Sequence, residues 1–127
     1  MERKSRRRFL VAVVDDDESV RESLPDLLRE FGFAAGAFAS AEEFLVSGDL
    51  GNTACLILDI AMPGMSGLDL QRELKRRRSK IPILFITGHG DETVRPRVIE
   101  EGAVECLFKP FSETALLTAL KSALRVA

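Results

Sequence analysis

Aspartates, a threonine and a lysine close four apolar runs of this chain, in an order suited to phosphoryl chemistry. Residues 9–14 are closed by Asp15, Asp16 and Asp17, and residues 55–58 by Asp59. Residues 83–86 are closed by Thr87, and residues 104–108 by Lys109 and Pro110. If the runs are parallel strands, these groups leave the sheet at one edge, where open α/β sheets bind their ligands. Carboxylates gathered there repel one another by about 4 kcal/mol per pair at ~4 Å and an effective dielectric near 20. A hard divalent cation relieves that repulsion. The set reads as a Mg²⁺ site with a lysine beside it, built to receive a phosphoryl group.

Asp59 is the candidate nucleophile, because it follows a wholly apolar run and precedes a Pro-Gly loop. A carboxylate that attacks phosphorus forms an acyl phosphate, a recognised covalent intermediate. The transfer depends on positioning and on neutralising the equatorial oxygens. Mg²⁺ held by Asp16 and Asp59 would take one oxygen, the Thr87 hydroxyl a second and the Lys109 ammonium a third. An aspartate at a strand end is more simply a helix cap or turn former, and for Asp15 to Asp17 alone that reading leads. Chemistry-bearing groups at four strand ends together displace it.

The elements that must position these groups alternate strand and helix five times. Strands are predicted over 9–14, 33–38 (weak), 54–58, 83–86 and 104–108. Helix 1 is predicted over 18–31, with Val20, Leu24, Leu27, Leu28 and Phe31 at helical spacing and Gly32 as its stop. Ser40 to Glu43 reads as a capping box opening a short helix 2. Residues 48–52 form a loop, and Pro63 to Gly67 a turn-rich one. Helix 3 is predicted over 67–78, ending in Lys75 to Arg78, a solvated basic end that suits the helix dipole. Helix 4 follows Asp91 and stops at Gly102; Ser112 caps helix 5, whose stripe is Leu116, Leu117, Leu120 and Leu124. Near-continuous apolar strands alternating with helices mean a parallel sheet covered on both faces. Two prolines fit badly, since an interior proline costs about 3 kcal/mol. A kink is expected at Pro25, and a shortened or delayed start to helix 4 at Pro96.

The 127 residues make one domain with one core. Hydrophobic content of 46% and charged content of 30% exclude a disordered chain. The net charge of −2 is unevenly placed: residues 1–8 carry five basic groups and Glu2, leaving 13 basic and 19 acidic residues behind them. The basic arm at 1–8 reads as a solvated terminus rather than a phosphate or membrane contact. No run approaches the ~20 apolar residues of a membrane span, and the short apolar run after Arg8 lacks a cleavage site, so a cytoplasmic protein is expected. Cys55 and Cys106 fall inside strands and read as buried, reduced thiols. His89 is the only histidine, which argues against a histidine-based zinc site or a serine-type triad.

The chain resembles a response-regulator receiver domain of two-component signalling over about residues 8–125. The likeness rests on Val13-Val-Asp-Asp-Asp17, Leu58-Asp-Ile-Ala-Met-Pro-Gly-Met-Ser-Gly67, Ile86-Thr-Gly-His-Gly90, Gly102-Ala103 and Phe108-Lys-Pro-Phe111, at separations of 44, 28 and 22 residues from Asp15 to Asp59 to Thr87 to Lys109. Thr87-Gly-His-Gly-Asp91 and Ser66-Gly67 point to the nitrogen-fixation-regulator-like branch. The resemblance implies a flavodoxin-like (βα)5 three-layer α/β sandwich, with a parallel five-stranded sheet in the order 2-1-3-4-5, over residues 9–126. It implies that Asp59 accepts a phosphoryl group from a sensor histidine kinase or phosphotransfer protein. Mg²⁺ would take Asp16, Asp59 and the Ala61 carbonyl, with Asp15 acting through water; Thr87 and Lys109 would be the switch hydroxyl and the charge sensor. A cis Lys109–Pro110 bond is implied as well. Such a domain catalyses only its own phosphorylation and dephosphorylation. It signals through protein contacts or a homodimer on the face of helix 4, strand 5 and helix 5, and no DNA-reading module is expected in this chain.

Three positions depart from the family pattern. Cys106 stands where an aromatic is usual, so coupled rotation with Thr87 is not expected. Ala61 offers an attacking water no side chain. His89 either positions water or faces solvent. Two other readings compete: a receiver-like binding module that never takes phosphate, against which stand five intact site residues, and a flavin-binding electron carrier, against which stand the absence of Trp and Tyr and the acidic groups where a flavin phosphate would sit. A phosphatase acting on small substrates would need a second aspartate shortly after Asp59, which this loop lacks.

Overall fold

The computed structural model of the chain describes residues 10–88 and 92–126. The basic arm at 1–8, Phe9, His89 and Asp91 lie outside the described residues. In chain order the elements are β1 (Leu10–Val14), α1 (Glu18–Glu30), β2 (Ala34–Phe38), α2 (Ala41–Val46), a 3-10 turn (Leu50–Asn52), β3 (Thr53–Asp59), α3 (Gly67–Arg76), β4 (Ile83–Thr87), α4 (Val94–Glu100), β5 (Glu105–Phe108) and α5 (Glu113–Val126). The strands are parallel and ordered β2-β1-β3-β4-β5, the expected flavodoxin-like arrangement.

Strand alternation divides the core in two, because successive side chains point to opposite faces of a sheet. Val11, Val13, Cys55, Ile57, Leu84 and Ile86 pack with Leu24 and Leu28 of α1 and with Leu116 and Leu120 of α5. Ala12, Val14, Leu56, Leu58 and Phe85 pack with Phe44 of α2, Leu70 and Leu74 of α3, and Val98 of α4. The three central strands are therefore apolar on both faces until their ends, where Thr53 opens β3 and Asp59 and Thr87 close β3 and β4. Cys55 and Cys106 are buried and unbridged. Burial pushes the Cys55 thiol up to about 12 and raises that of Cys106 as well.

Local signals set most of the boundaries. Ser40 caps α2 by accepting the Glu43 N–H (3.0 Å), but Glu43 reaches back to the Ala39 N–H (2.6 Å), one residue earlier than a reciprocal box would require. Ser112 accepts the Ala115 N–H at the start of α5. Helix α3 ends two residues sooner than its basic run suggested, because Arg78 turns left-handed at φ 61°. Glu73 holds Arg76 and Arg77 on that last turn, and their hydrogen bonds draw its carboxyl down to about 2. Helix α1 runs unbroken through the buried Pro25. Helix α4 begins late, at Val94, which puts Pro96 third in the helix. There its missing N–H is one of the four that have no intrahelical acceptor, so the proline removes no hydrogen bond. Among the described residues, no helix is long and apolar enough to cross a membrane.

Candidate functional site

The site forms where β1, β3, β4 and β5 end. Parallel pairing carries those ends to one edge: Val14 lies beside Leu58, Asp59 beside Ile86, and Thr87 beside Phe108. Asp15 continues β1, donating its N–H to the Phe38 carbonyl of β2 (3.1 Å). Its carboxylate is wholly buried; Oδ1 accepts the Asp17 N–H (2.9 Å) and Oδ2 accepts from Lys109 Nζ (2.9 Å). Asp16 is exposed, and Asp59, the last residue of β3, is buried. One carboxylate oxygen from each of Asp15, Asp16 and Asp59 lies within 4.8 Å of the other two. Lys109 Nζ stands 3.9 Å from Asp59 Oδ1. Lys109 is placed by its own backbone: its N–H donates to the Thr87 carbonyl (2.7 Å), and the following bond to Pro110 is cis. Thr87 is buried at the end of β4, and Ala61 is exposed in the loop after β3.

The three consecutive aspartates divide their work. Asp15 and Asp16 join the cluster, whereas Asp17 caps α1, accepting from the Ser19 N–H (3.0 Å) and the Ser19 hydroxyl (2.8 Å). The cap reading holds for one residue of the three.

Several supporting residues were not evident from the sequence. Arg21 of α1 donates to the Asp15 carbonyl (3.0 Å) and so braces the acidic turn. The loop after Asp59 is tied at both ends. Gly67 donates its N–H to the Ile60 carbonyl (2.9 Å), and Glu42 of α2 accepts the Met65 N–H (3.1 Å). Ser66 and Asp69 form a reciprocal capping box at the start of α3. The Ser-x-x-acid pattern at 66–69 was a legible signal for that box. Nothing in the sequence marked Arg21 or the backbone approach at Gly67.

Electrostatics follow from this packing. Burial pushes the Asp59 carboxyl up, and the charges of Asp15 and Asp16 push it further, against the pull of Lys109, to about 7. Burial pulls Lys109 down, but its Asp15 hydrogen bond and the charges of Asp59, Asp15 and Asp17 outweigh that and raise it. Three carboxylates and one ammonium leave the pocket negative. An all-oxygen donor set with surplus negative charge fits a hard divalent cation such as Mg²⁺.

A pH dependence follows. Asp59 titrates near 3.8 when unfolded and near 7 in the native protein, so between those values the native state binds more protons. Stability then falls as pH rises through that window, by at most about 4 kcal/mol at ~1.4 kcal/mol per unit. Without divalent cation, urea unfolding is expected to show a less stable protein at about pH 8 than at about pH 5, and Asp59→Asn to lose most of that difference. Added Mg²⁺ is expected to raise the midpoint more at the higher pH. A Mg²⁺ effect of equal size at both would contradict this origin.

Comparison with known proteins agrees with the geometry. The pattern described as the response regulator receiver domain matches residues 11–121. The response regulator protein TodT of Pseudomonas putida is 45% identical over 97% of this chain and 54% of its own length. Nodulation protein W of Bradyrhizobium diazoefficiens is 49% identical over 91% of this chain and 51% of its own. The crystal structure of FixJ-N superposes with a TM-score of 0.84 at 37% identity, covering 94% of this chain and 95% of that one. The chain thus spans about half the length of these two relatives.

Proposed function

The chain belongs to the response-regulator receiver domain family, in the branch typified by FixJ, and from that premise we propose that Asp59 takes a phosphoryl group from the phosphohistidine of a sensor kinase or phosphotransfer protein. An Asp59 oxygen bonds to phosphorus as the phosphorus–nitrogen bond breaks, and the electron pair of that bond stays with the donor imidazole. The observation that carries this reading is the convergence of Asp59 with Asp15, Asp16 and Lys109, residues from three strand ends. Lys109 offers its ammonium to a phosphoryl oxygen, and the Thr87 hydroxyl serves another. The residues that would hold Mg²⁺ are Asp16, Asp59 and the Ala61 carbonyl, with Asp15 acting through water. Bound there, the cation supplies neutralisation of charge on the phosphoryl group.

The chain's own catalysis is limited to its phosphorylation and dephosphorylation. The signal is a shift between conformations that exist beforehand, read by a partner through protein contacts or by a second copy on the α4–β5–α5 face. A groove of about 560 Å³, lined by the apolar Val20, Leu24, Leu27 and Phe111 and by the acidic Asp26, Glu30 and Glu113, reaches Lys109 and would seat the phosphodonor. The receiver would comprise residues 9–126, of which the family pattern matches 11–121, with the basic arm at 1–8 preceding it. The cytoplasm, where sensor kinases present their phosphohistidines, is the compartment that suits this role.

Acetyl phosphate with Mg²⁺ tests the reading without a cognate kinase. The intact protein is expected to gain one phosphoryl mass, located by peptide mapping to Asp59, and Asp59→Asn to gain none. Equal labelling of the two proteins, or no labelling of the wild type by acetyl phosphate or by purified kinases, would sink it.

A further inference from the structure

One side chain of α4, Arg95, makes hydrogen-bond, ion-pair and ring contacts with β5. Helix α4 has a single buried residue, Val98, among its seven. Elements with so little apolar burial open at low cost. Arg95, in the first turn, reaches across to β5. Its Nε and Nη2 both donate to the Cys106 carbonyl, at 3.2 and 2.8 Å. It pairs with Glu105 at 3.3 Å, and its guanidinium lies 5.3 Å from the centre of the Phe108 ring. Glu105 in turn accepts the Cys106 N–H at 2.8 Å.

β5 is an edge strand. The backbone N–H and carbonyl of Cys106 are thus met by Glu105 and Arg95 rather than by a neighbouring strand. Unpaired edge groups invite another chain, and native proteins cover them with charge. The exposed ion pair contributes little by itself. The forked contact on the carbonyl is the stronger part, because charge-assisted bonds exceed neutral ones.

The same strand leads to the site. Phe108 lies beside Thr87 in the β4–β5 register, and the next residue is Lys109, whose N–H binds the Thr87 carbonyl. We infer that Arg95, gripping Glu105, Cys106 and Phe108, is a latch that holds α4 against the edge of β5, and that its release carries a change at Thr87 and Lys109 to α4 and uncovers that edge. The coupling to the site rests on the phosphoryl reading above; the latch itself does not.

Amide hydrogen exchange across residues 94–100 and at Cys106, measured alongside acetyl phosphate loading, tests it. In unloaded protein, Arg95→Ala is expected to exchange about tenfold faster in both places, since it loses two charge-assisted hydrogen bonds. Wild type is expected to approach that rate only after loading. Arg95→Ala is also expected to load several-fold faster, because the cost of leaving the latched state is gone. A residue that merely stabilised the fold would lower the unfolding midpoint without speeding loading. Arg95→Lys should fall between, keeping the charge but not the fork. The latch is overturned if unloaded Arg95→Ala exchanges like wild type, or if loaded wild type, with its phosphoryl mass confirmed, shows no faster exchange. If wild type takes no phosphoryl group, the functional reading fails instead, and the unloaded comparison alone decides the latch.

Discussion

Lys109→Met is expected to lower stability by about 3 kcal/mol and to slow phosphoryl loading by at least two orders of magnitude. The first effect comes from Asp15, whose carboxylate is fully buried and, among the described residues, has Lys109 as its only ion-pair partner, at 2.9 Å. Breaking one side of a buried pair leaves an uncompensated charge and costs about 3–5 kcal/mol. The lysine side chain keeps 24% exposure, which places this case at the lower end. The second effect comes from Asp59. Lys109 is the cation that holds its carboxyl down against burial and two neighbouring carboxylates. Without it, Asp59 titrates above about 7, and less of the nucleophilic carboxylate is present at neutral pH. The instability should therefore grow as pH rises, when all the carboxylates are charged. Lys109→Arg, which restores the charge, should recover much of the stability. Urea unfolding with and without Mg²⁺, alongside loading rates by mass spectrometry, measures both effects. A Lys109→Met protein within about 1 kcal/mol of wild type would mean that Asp15 is satisfied by other means.

Gly67→Ala is expected to cost about 3 kcal/mol or more, although alanine is the better helix former by about 1 kcal/mol. A Cβ at position 67 would overlap the Asp59 carbonyl oxygen and approach the Ile60 Cα to 2.9 Å. These are backbone atoms at the end of a buried strand, so no side chain can swing aside. Either β3 shifts, carrying the nucleophile with it, or the Gly67 to Ile60 hydrogen bond breaks. Loading of Asp59 should fall together with stability. Gly51, where an added Cβ meets nothing within 4 Å, is the matched control. Should Gly67→Ala unfold like wild type, the loop after Asp59 would have to be more compliant than its two anchoring hydrogen bonds imply.

Much of the fold was legible because its signals are short-range. Continuous apolar runs of five or so residues, split by amphipathic helical spacing, mark buried parallel strands and the helices that cover them. The Pro96 anomaly resolved as expected, with a late start to α4. The capping box at Ser66 was equally readable and was missed, because the glycines and proline around it looked like turn alone. Helix α3 was read two residues too long for a comparable reason: a basic run extends a helical pattern on paper, while the left-handed Arg78 ends it in space.

By itself the sequence determined the alternation of elements, the residues able to do chemistry and, since each closes an apolar run, their position at strand ends. Only the tertiary structure decided that Asp15 and Asp16 face Asp59 while Asp17 caps a helix. It alone brought Arg21 to the Asp15 carbonyl, Gly67 against the Asp59 backbone and Arg95 across to β5. Propensity and periodicity act along one element, whereas the direction of a side chain and the closeness of two backbones depend on strand register and helix docking, which bring together residues as near as Arg21 and Asp15 and as far apart as Lys109 and Asp15 only once the elements have packed.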